Sequence, residues 1–262
     1  MWPLLVDKAF EVTENRFISG ITYLLKVKAP ELKDAPAGSF AMIRTTLENQ
    51  YDPMMRRAFA IADVQGDEIL FFYDVYGRGT QVLTHIKKGE KVNILAPLGK
   101  NFFPENHSHY ILVGGGIGFA GLSLFMKKLK EEGKPFKAIY GVRRKEQLSM
   151  LDWIKENGFE DDVIIYTEDG SYGEKGLVTK DLENLINENP GSALAVCGPK
   201  GMMKAVMEVA RKNKTPAYLS LESKMACGFG ICIGCVIKDT EKNNYVRVCY
   251  EGPVFDGYKI EF

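Results

Sequence analysis

Four of the five cysteines lie near the carboxyl end, and they constrain the fold more than any other feature of this 262-residue chain. Cys227, Cys232, Cys235 and Cys249 are spaced C-x4-C-x2-C-x13-C, and glycines stand between the first three. Glycine lets the backbone pass close to a bound group and offer its N–H groups to sulfur. A C-x4-C-x2-C run with a later cysteine is the spacing of a plant-type [2Fe–2S] site. The spacing therefore favours this cluster over zinc, which more often takes paired C-x2-C units, and over four unligated core thiols.

Charge and composition disfavour several classes of function. Lys plus Arg number 34 and Asp plus Glu number 34, so the formal net charge is zero. Nucleic acid and anionic membranes are therefore not expected as main partners. No apolar run approaches the roughly 18 residues of a membrane span. Only three histidines are present, which disfavours a His-rich metal site, and the odd, uneven set of cysteines is typical of a cytoplasmic chain.

Residues 1–98 have the pattern of short strands separated by Pro, Gly and Asp turns. The strands are rich in β-branched and aromatic residues, and one short helix is predicted over Thr80–Lys87. Six strands at such spacing predict a small antiparallel barrel. The predicted strands are Lys8–Thr13, Phe17–Lys28, Ser39–Thr45, Arg57–Ala62, Glu68–Val75 and Lys91–Ala96.

From Tyr110 onwards, strands alternate with amphipathic helices. This alternation predicts a parallel sheet covered on both faces, over residues 99–215. A last strand, Ala217–Glu222, leads into the cysteine segment, residues 216–262. The predicted fold class is therefore β + α/β: a six-stranded antiparallel barrel, a parallel-sheet α/β domain and a small [2Fe–2S] segment at the carboxyl end. The other predicted strands are Tyr110–Val113, Lys137–Tyr140, Asp162–Tyr166 and Ala193–Val196. One helix is predicted from the end of the glycine-rich segment to about Glu132. The other predicted helices are Glu146–Lys155, Thr179–Asn187 and Lys200–Lys212.

A glycine-rich loop follows the first strand of the α/β part. It contains Gly114, Gly115, Gly116 and Gly118, and the last two begin a G-x-G-x-x-G pattern that ends at Gly121. The pattern alone has low specificity, but here it follows a strand and opens a helix, as dinucleotide binding requires. Absent side chains let a pyrophosphate approach the backbone, and the helix start presents free N–H groups. The alternative is a glycine turn selected only for helix–strand packing.

Two segments bear on whether the dinucleotide is NADH or NADPH. Glu168 and Asp169 follow the third strand of the α/β part, and a carboxylate suits a free ribose 2′-hydroxyl. Arg143–Lys145 follow the second strand and could instead hold a 2′-phosphate. We expect NADH, with solvated loop charges as the alternative for both segments.

Cys197 and Gly198 end the fourth strand, where strand carboxyl ends line the ligand crevice of such sheets. The thiol of Cys197 could face the nicotinamide, or it could be a small buried apolar group. The residues leave these two interpretations open.

Two segments of the barrel suit a flavin nucleotide. Arg57 begins a predicted strand and could pair with a diphosphate, while the ring of Phe59 could stack on a flat ring system. Gly79 and Thr80 precede the short helix and could supply a second phosphate contact. Neither signal is specific alone, but both precede a dinucleotide-binding pattern in the expected order.

In this order of motifs the chain resembles the ferredoxin–NAD(P) reductase superfamily. Within it, the segments Leu219–Cys235 and Val248–Phe255 resemble the electron-transfer subunits of class 1B dihydroorotate dehydrogenase. The resemblance implies FAD, a [2Fe–2S] cluster and NAD(H) as cofactors. It also implies a partner, the FMN-containing catalytic subunit, with two of each chain. The implied FAD contacts are Arg57, Ala58, Phe59, Ala60, Phe72, Tyr73, Asp74, Gly79 and Thr80, and the implied cluster ligands are Cys227, Cys232, Cys235 and Cys249.

The chain departs from the superfamily pattern in two places. The flavin motif usually reads R-P-x-[ST], but here alanine stands at positions 58 and 60, so a hydroxyl that would donate to the flavin is missing. Asp74 stands where a basic or neutral residue is expected, and a nearby anion disfavours a reduced, anionic flavin. We therefore expect weaker flavin binding or an altered flavin potential.

The resemblance implies an electron-transfer role without acid–base catalytic residues. Electrons would pass from dihydroorotate oxidation on the partner, through the cluster and FAD, to NAD⁺. The alternatives are the small subunit of an NADH-dependent ferredoxin oxidoreductase, a hydrogenase diaphorase subunit, a stand-alone NADH:acceptor reductase and a non-enzymatic zinc module.

Overall fold

The computed structural model of the chain describes residues 5–46 and 51–262. Its amino-terminal part is a seven-stranded antiparallel sheet. The strands are β1 (Val6–Ser19), β2 (Thr22–Lys28), β3 (Phe40–Ile43), β4 (Arg57–Ala60), β5 (Asp63–Gln65), β6 (Glu68–Asp74) and β7 (Lys91–Leu98). Their order in the sheet is β4-β3-β7-β1-β2-β6-β5, and the short helix α1 (Arg78–Leu83) connects β6 to β7.

The sheet closes into a barrel where the chain leaves β4. The Ala62 N–H donates to the Leu70 carbonyl of β6 at 3.0 Å, and the Ile61 N–H donates to the Ser39 carbonyl beside β3 at 3.1 Å. Side chains alternate between the two faces of each strand, so one face of every strand fills the interior. The buried interior includes Phe10, Val12, Leu25, Val27, Ile43, Ile69, Phe71 and Ile94.

The barrel has seven strands rather than the predicted six, although the predicted fold class is confirmed. The additional strand is β5, whose three residues are too few to show a period-2 pattern in the sequence. The predicted strand Phe17–Lys28 is divided by a turn at Gly20, which has a φ of +57°, and Ser19 pairs with Thr22 across it. The strand-like residues on both sides of Gly20 hide this turn in the sequence.

The second sheet is also seven-stranded and mostly parallel. Its strands are β8 (His109–Gly115), β9 (Phe136–Val142), β10 (Val163–Thr167), β11 (Glu174–Lys175), β12 (Ser192–Cys197), β13 (Ala217–Ser220) and, from the carboxyl-terminal segment, β16 (Val254–Asp256). They are ordered β11-β10-β9-β8-β12-β13-β16, and only β16 runs antiparallel to its neighbour. The helices are α2 (Ala120–Glu131), α3 (Leu151–Glu156), α4 (Leu182–Glu188) and α5 (Lys200–Asn213). None of the helices in the described ranges combines the length and hydropathy needed to span a bilayer.

The position of β8 and β12 in this sheet decides where a ligand can bind. Both strands are almost entirely buried, as expected of continuous apolar runs covered on two faces. From β8, the chain proceeds to β9 and β10 on one side, and then returns to β12 and β13 on the other. The crevice between β8 and β12 is therefore the topological switch point, where such sheets bind their ligands.

The carboxyl-terminal segment contacts both larger parts of the molecule. Three of its strands, β14 (Val236–Asp239), β15 (Asn244–Arg247) and β17 (Ile260–Glu261), form a small antiparallel sheet. Just after β7, the Lys100 N–H donates to the Gly252 carbonyl at 2.7 Å. A Cβ on Gly228 would lie 2.3 Å from Met42 Cγ of β3, so the loop that carries the cysteines packs tightly on the barrel.

Candidate functional site

Arg57 and Gly79 form a cradle at the start of α1. The Arg57 guanidinium donates from Nη1 to the Met55 carbonyl at 2.5 Å, which fixes one side of the group. A Cβ on Gly79 would lie 2.6 Å from Arg57 Nε and 2.9 Å from Nη2. Glycine at position 79 therefore allows the guanidinium to lie directly against the helix start. The sequence brings a cation and free backbone N–H groups together here, as a phosphate requires.

Thr80 caps the same helix. Its hydroxyl accepts the Tyr76 N–H at 3.1 Å and donates to the Gly77 carbonyl at 3.1 Å. The hydroxyl is thus engaged by the chain itself, so the phosphate contact predicted for Thr80 would come from its backbone N–H.

The predicted flavin residues of β4 and β6 divide between two faces. The ring of Phe59 packs edge-on against the ring of Tyr73 at 5.8 Å, and Tyr73 is buried in the barrel interior. The Tyr73 hydroxyl donates to Asn15 Oδ1 at 2.9 Å, and burial raises its pKa. Ala58 and Ala60 lie on the other face of β4, and Phe72 on the other face of β6.

The barrel and the second sheet meet where Ala60 of β4, Gly121 of α2 and Cys197 of β12 come together. A Cβ on Gly121 would lie 3.0 Å from Cys197 Sγ and 3.8 Å from Ala60 Cβ. Desolvation by burial, and then the Glu222 carboxylate, raise the pKa of the Cys197 thiol. Cys197 is therefore a neutral, buried thiol that lies beside the predicted flavin strand.

Two carboxylates, Asp74 and Glu222, lie on the flanks of this junction. The Thr22 hydroxyl donates to Asp74 Oδ1 at 2.5 Å. Desolvation, and then the charge of Asp74, raise the pKa of Glu222. The pKa of Tyr76 is raised by desolvation and by both carboxylates, while Arg143 opposes that shift. Sequence reasoning missed Glu222, because only tertiary contact brings it to Asp74, and it missed Tyr76, two residues after Asp74, because no motif includes it.

The glycine loop and the end of β12 are in direct contact. Gly116 has a φ of +55°, which favours glycine. A Cβ on Gly118 would lie 2.6 Å from Gly198 Cα and 2.7 Å from the Cys197 carbonyl oxygen. Gly114 pairs with Cys197 across β8 and β12. The predicted pyrophosphate loop therefore lies at the switch point, between the strands that such a ligand requires.

The acidic and basic segments considered for the adenosine ribose lie in two loops that are hydrogen-bonded to each other. The Lys145 N–H donates to Ser171 Oγ at 2.8 Å, and the Asp169 N–H donates to the Arg143 carbonyl at 3.3 Å. Hydrogen bonds from Ser171, and then the charge of Arg144, lower the pKa of Asp169. The structure thus places the carboxylates and the cations at one edge of the sheet.

The four clustered thiols come together as two pairs. The Cys235 and Cys249 sulfurs are 3.2 Å apart, and the Cys232 N–H donates to Cys227 Sγ at 3.5 Å. Within residues 5–46 and 51–262, no three His, Cys, Asp or Glu side chains are gathered closely enough to hold a single metal ion. Two pairs of thiols suit a two-iron cluster, whose protein ligands are divided between two irons.

Backbone N–H groups favour the thiolate of Cys227, whereas burial disfavours that of Cys249. Desolvation alone would raise the pKa of Cys227, but N–H groups of Cys232, Phe229 and Ile231 lower it to about 6. Burial and the neighbouring Cys235 raise the pKa of Cys249 to about 12. Bound iron would replace the proton on each sulfur, because metal ligation requires deprotonated cysteine.

The loop between the cysteines needs unusual backbone angles. Gly228 and Gly230 have φ values of +80° and +94°, which glycine adopts without strain. Ile233 has a φ of +57°, which costs a β-branched residue energy and is found mostly where a functional site fixes the chain. The Arg247 side chain supports this loop by donating from Nη1 to the Gly230 carbonyl at 2.8 Å.

Comparison with known protein families assigns both halves of this arrangement. Residues 222–261 match the iron–sulfur cluster binding domain of dihydroorotate dehydrogenase B, and residues 112–208 match the oxidoreductase NAD-binding domain. The first match contains all four clustered cysteines, and the second contains the glycine loop and Cys197.

Similar proteins match over nearly the whole chain. The dihydroorotate dehydrogenase B (NAD(+)) electron transfer subunit homolog of Aquifex aeolicus is 43% identical over 96% of this chain and 97% of that protein. The corresponding electron transfer subunit of Caldanaerobacter subterraneus subsp. tengcongensis is 34% identical over the same shares. Among solved structures, the NADH-dependent reduced ferredoxin-NADP oxidoreductase, studied for flavin-based electron bifurcation, has 28% identity and a TM-score of 0.84, covering 96% of this chain and 89% of that one.

These matches confirm the family, the fold class and the oxidoreductase role that the sequence predicted. The chain belongs to the family of electron transfer subunits of NAD(+)-dependent dihydroorotate dehydrogenase B.

Proposed function

We propose that this chain carries FAD on the barrel and a [2Fe–2S] cluster on Cys227, Cys232, Cys235 and Cys249. It passes electrons from a dihydroorotate-oxidising, FMN-containing partner to NAD⁺. The proposed parts are a flavin barrel (residues 1–98), an NAD-binding domain (residues 99–215) and a cluster segment (residues 216–262).

A line of contacts from the cluster loop to the nucleotide crevice carries this proposal. Gly228 of the cluster loop packs on Met42, and Met42 pairs with Ala58 of β4. Two residues further along β4, Ala60 lies beside Cys197 and Gly121 at the switch point. The proposed flavin strand therefore lies between the thiols and the proposed nicotinamide site. NAD exchanges a hydride, an iron–sulfur cluster takes single electrons, and a flavin performs both, so this order is the one that the chemistry requires.

The chain's own residues would bind and orient these groups. Arg57 and the α1 start suit the FAD diphosphate. The small side chains of Ala58 and Ala60 leave room at the junction, whereas Phe59 and Tyr73 support the strand from inside the barrel. Gly114, Gly115, Gly116 and Gly118 suit the NAD pyrophosphate.

Glu168 and Asp169 suit the ribose hydroxyls of NADH, and the ionised state of Asp169 supports a role as acceptor. Asp74 would place negative charge beside the flavin position, and Glu222 lies near it. The charge of Asp74 would disfavour a reduced, anionic flavin and lower its potential.

The exposed surface around the cluster loop supports a docking role. Cys232 is exposed, and two apolar neighbours are exposed as well, Ile231 by 74% and Ile233 by 64%. Phe229 is a third exposed apolar residue in the same loop. Apolar side chains around a redox centre favour contact with another protein. The FMN-containing subunit would dock here, with two copies of each chain in the complex.

The 28% identity and the TM-score of 0.84 with the NADH-dependent ferredoxin-NADP oxidoreductase support a second candidate function. In that function the partner would carry several clusters rather than FMN alone. Chains of that kind often alter the first cluster ligand, but Cys227 is present here, which favours the dihydroorotate function.

The test is an assay of the native complex, which is purified anaerobically with the partner left untagged. We expect FAD and FMN in equal amounts, two irons per FAD, and NADH formation when dihydroorotate and NAD⁺ are added. Reduction by reduced ferredoxin but not by dihydroorotate would refute the proposal and support the second candidate. A colourless protein that contains zinc would refute both.

A further inference from the structure

Asp63, the first residue of β5, is a fully buried carboxylate that two helices of the other domain approach. Oδ1 accepts from Lys127 Nζ of α2 at 2.6 Å and from the Val64 N–H at 2.8 Å. Oδ2 accepts from Trp153 Nε1 of α3 at 3.0 Å and from Gln65 Nε2 at 2.8 Å. These four donors occupy the acceptor sites of an ionised carboxylate. None of these residues belongs to the flavin, nucleotide or cluster sites described above.

Contacts along α2 extend this attachment towards the redox junction. Ser123 and Lys127 are four residues apart and so lie on the same face of the helix. The Ser123 hydroxyl donates to the Ala62 carbonyl at 2.6 Å, and Lys127 Nζ also donates to the Val64 carbonyl at 3.1 Å. Two residues before Ser123, Gly121 lies against Ala60. Successive contacts along α2 therefore meet the barrel chain in sequence order, from Ala60 to Val64. We name this set of contacts, centred on Asp63, Ser123, Lys127 and Trp153, the interdomain latch.

The latch joins the two segments whose separation decides hydride transfer. Its barrel side continues directly from β4, the proposed flavin strand. Its helix side begins directly after the glycine loop, the proposed pyrophosphate site. The cluster loop packs on the barrel through Gly228 against Met42, and the cluster segment also pairs with the second sheet through β16. A shift at the latch would thus move the glycine loop relative to β4.

We propose that Asp63 is a positioning residue, which sets the distance between the nicotinamide and the flavin by fixing α2 and α3 to the barrel. The inference rests on the proposed FAD and NAD sites. A buried carboxylate that receives donors from two directions fixes both distance and angle, which one apolar contact cannot do. Hydride transfer is sensitive to such placement, because a misplacement of about 1 Å can cost about 100-fold in rate.

The test compares Asp63→Asn, Trp153→Phe and the control Lys128→Met in holoprotein, by stopped-flow reduction with NADH. Asp63→Asn keeps the size of the side chain but removes the charge that holds Lys127. Trp153→Phe keeps the ring and removes one donor. Lys128 lies on the same helix, but its ion pair with Glu105 at 2.6 Å does not reach the barrel.

We expect the limiting rate of FAD reduction to fall about 10- to 100-fold in Asp63→Asn and about threefold or more in Trp153→Phe. NADH affinity should stay within about twofold of wild type, because the latch residues do not belong to the proposed nucleotide site. Hydrogen exchange on FAD-free protein should show faster exchange in β5 and α2 but not around the cysteines. Lys128→Met should match wild type in all of these measurements.

Three results would overturn the inference. The first is a reduction rate in Asp63→Asn no lower than in Lys128→Met. The second is faster hydrogen exchange around the cysteines as well as in β5 and α2, which would indicate general destabilisation. If Asp63→Asn does not fold, an unchanged reduction rate in Trp153→Phe is the third. A wild-type protein that binds no FAD, or is not reduced by NADH, would instead refute the proposed function, which separates the two failures.

Discussion

Substitution of Gly79 by alanine tests the proposed FAD site directly. The added Cβ would lie 2.6 Å from Arg57 Nε and 2.9 Å from Cζ and Nη2. A normal contact needs about 3.5 Å, so the guanidinium must move by about 1 Å. The atoms that move belong to the end of a flexible side chain, so folding should be little affected. Because Nη1 is held by the Met55 carbonyl, the group cannot simply rotate in place.

The expected cost follows from the interaction that this movement breaks. A hydrogen bond to a charged group contributes about 1.5–3 kcal/mol, so displacing it from the FAD diphosphate should weaken binding about 10- to 100-fold. The assay is titration of FAD-free protein with FAD, followed by flavin fluorescence, together with the FAD content after purification. Cluster content, measured as iron and sulfide, should be unchanged.

Gly77→Ala is the matched control for this prediction. Position 77 stands two residues earlier at the same helix start, and a Cβ there would meet nothing within 4 Å. We expect it to bind FAD as tightly as wild type. The reasoning is refuted if Gly79→Ala retains wild-type affinity, or if Gly77→Ala loses as much as Gly79→Ala.

Three further substitutions address the cluster, the nucleotide and the acidic junction. Cys232→Ser should leave FAD reduction by NADH intact but stop transfer to the partner, and normal coupled turnover would contradict the proposed route. Glu168→Gln should raise the ratio of kcat/KM for NADPH to kcat/KM for NADH about tenfold, because the 2′-phosphate of NADPH would no longer meet this carboxylate. An unchanged ratio would show that Glu168 does not contact the ribose. The pKa of Glu222 is raised above its ordinary 4.5, so its contribution to stability is present below pH 4.5 and is lost as pH rises through the raised value. In FAD-free protein, Glu222→Gln should therefore gain stability relative to wild type as pH rises from 5 to 8 in urea unfolding, and parallel pH profiles would contradict this.

The two departures from the flavin motif lie at the same place in the tertiary structure. Alanine at position 60 removes a hydroxyl, but it also allows α2 to approach β4 closely at Gly121. Asp74, unexpected in the sequence, receives a hydrogen bond from Thr22 and lies near Glu222. The missing hydroxyl and the two carboxylates all lie at the junction where hydride transfer is proposed, so their effects on flavin potential should be measured together.

Local patterns were enough to predict the parts of this molecule that depend on short stretches of chain. The spacing of Cys227, Cys232, Cys235 and Cys249 identified the iron–sulfur segment, because a short loop must wrap its ligands around the cluster. The strand–glycine–helix order around Gly116 identified the nucleotide loop, because backbone N–H groups at a helix start need no distant partner.

Contacts between residues far apart in sequence were decided only by the tertiary structure. The three-residue strand β5 carries no period of its own, and its Asp63 meets Lys127 and Trp153 only when the two domains pack. Likewise, nothing near Glu222 in the sequence indicates that Asp74 will raise its pKa. Residue type and spacing thus determined which cofactor chemistry the chain can support. Packing between the domains decided the distances between those sites. It depends on contacts between side chains that are far apart in the sequence and share no local pattern.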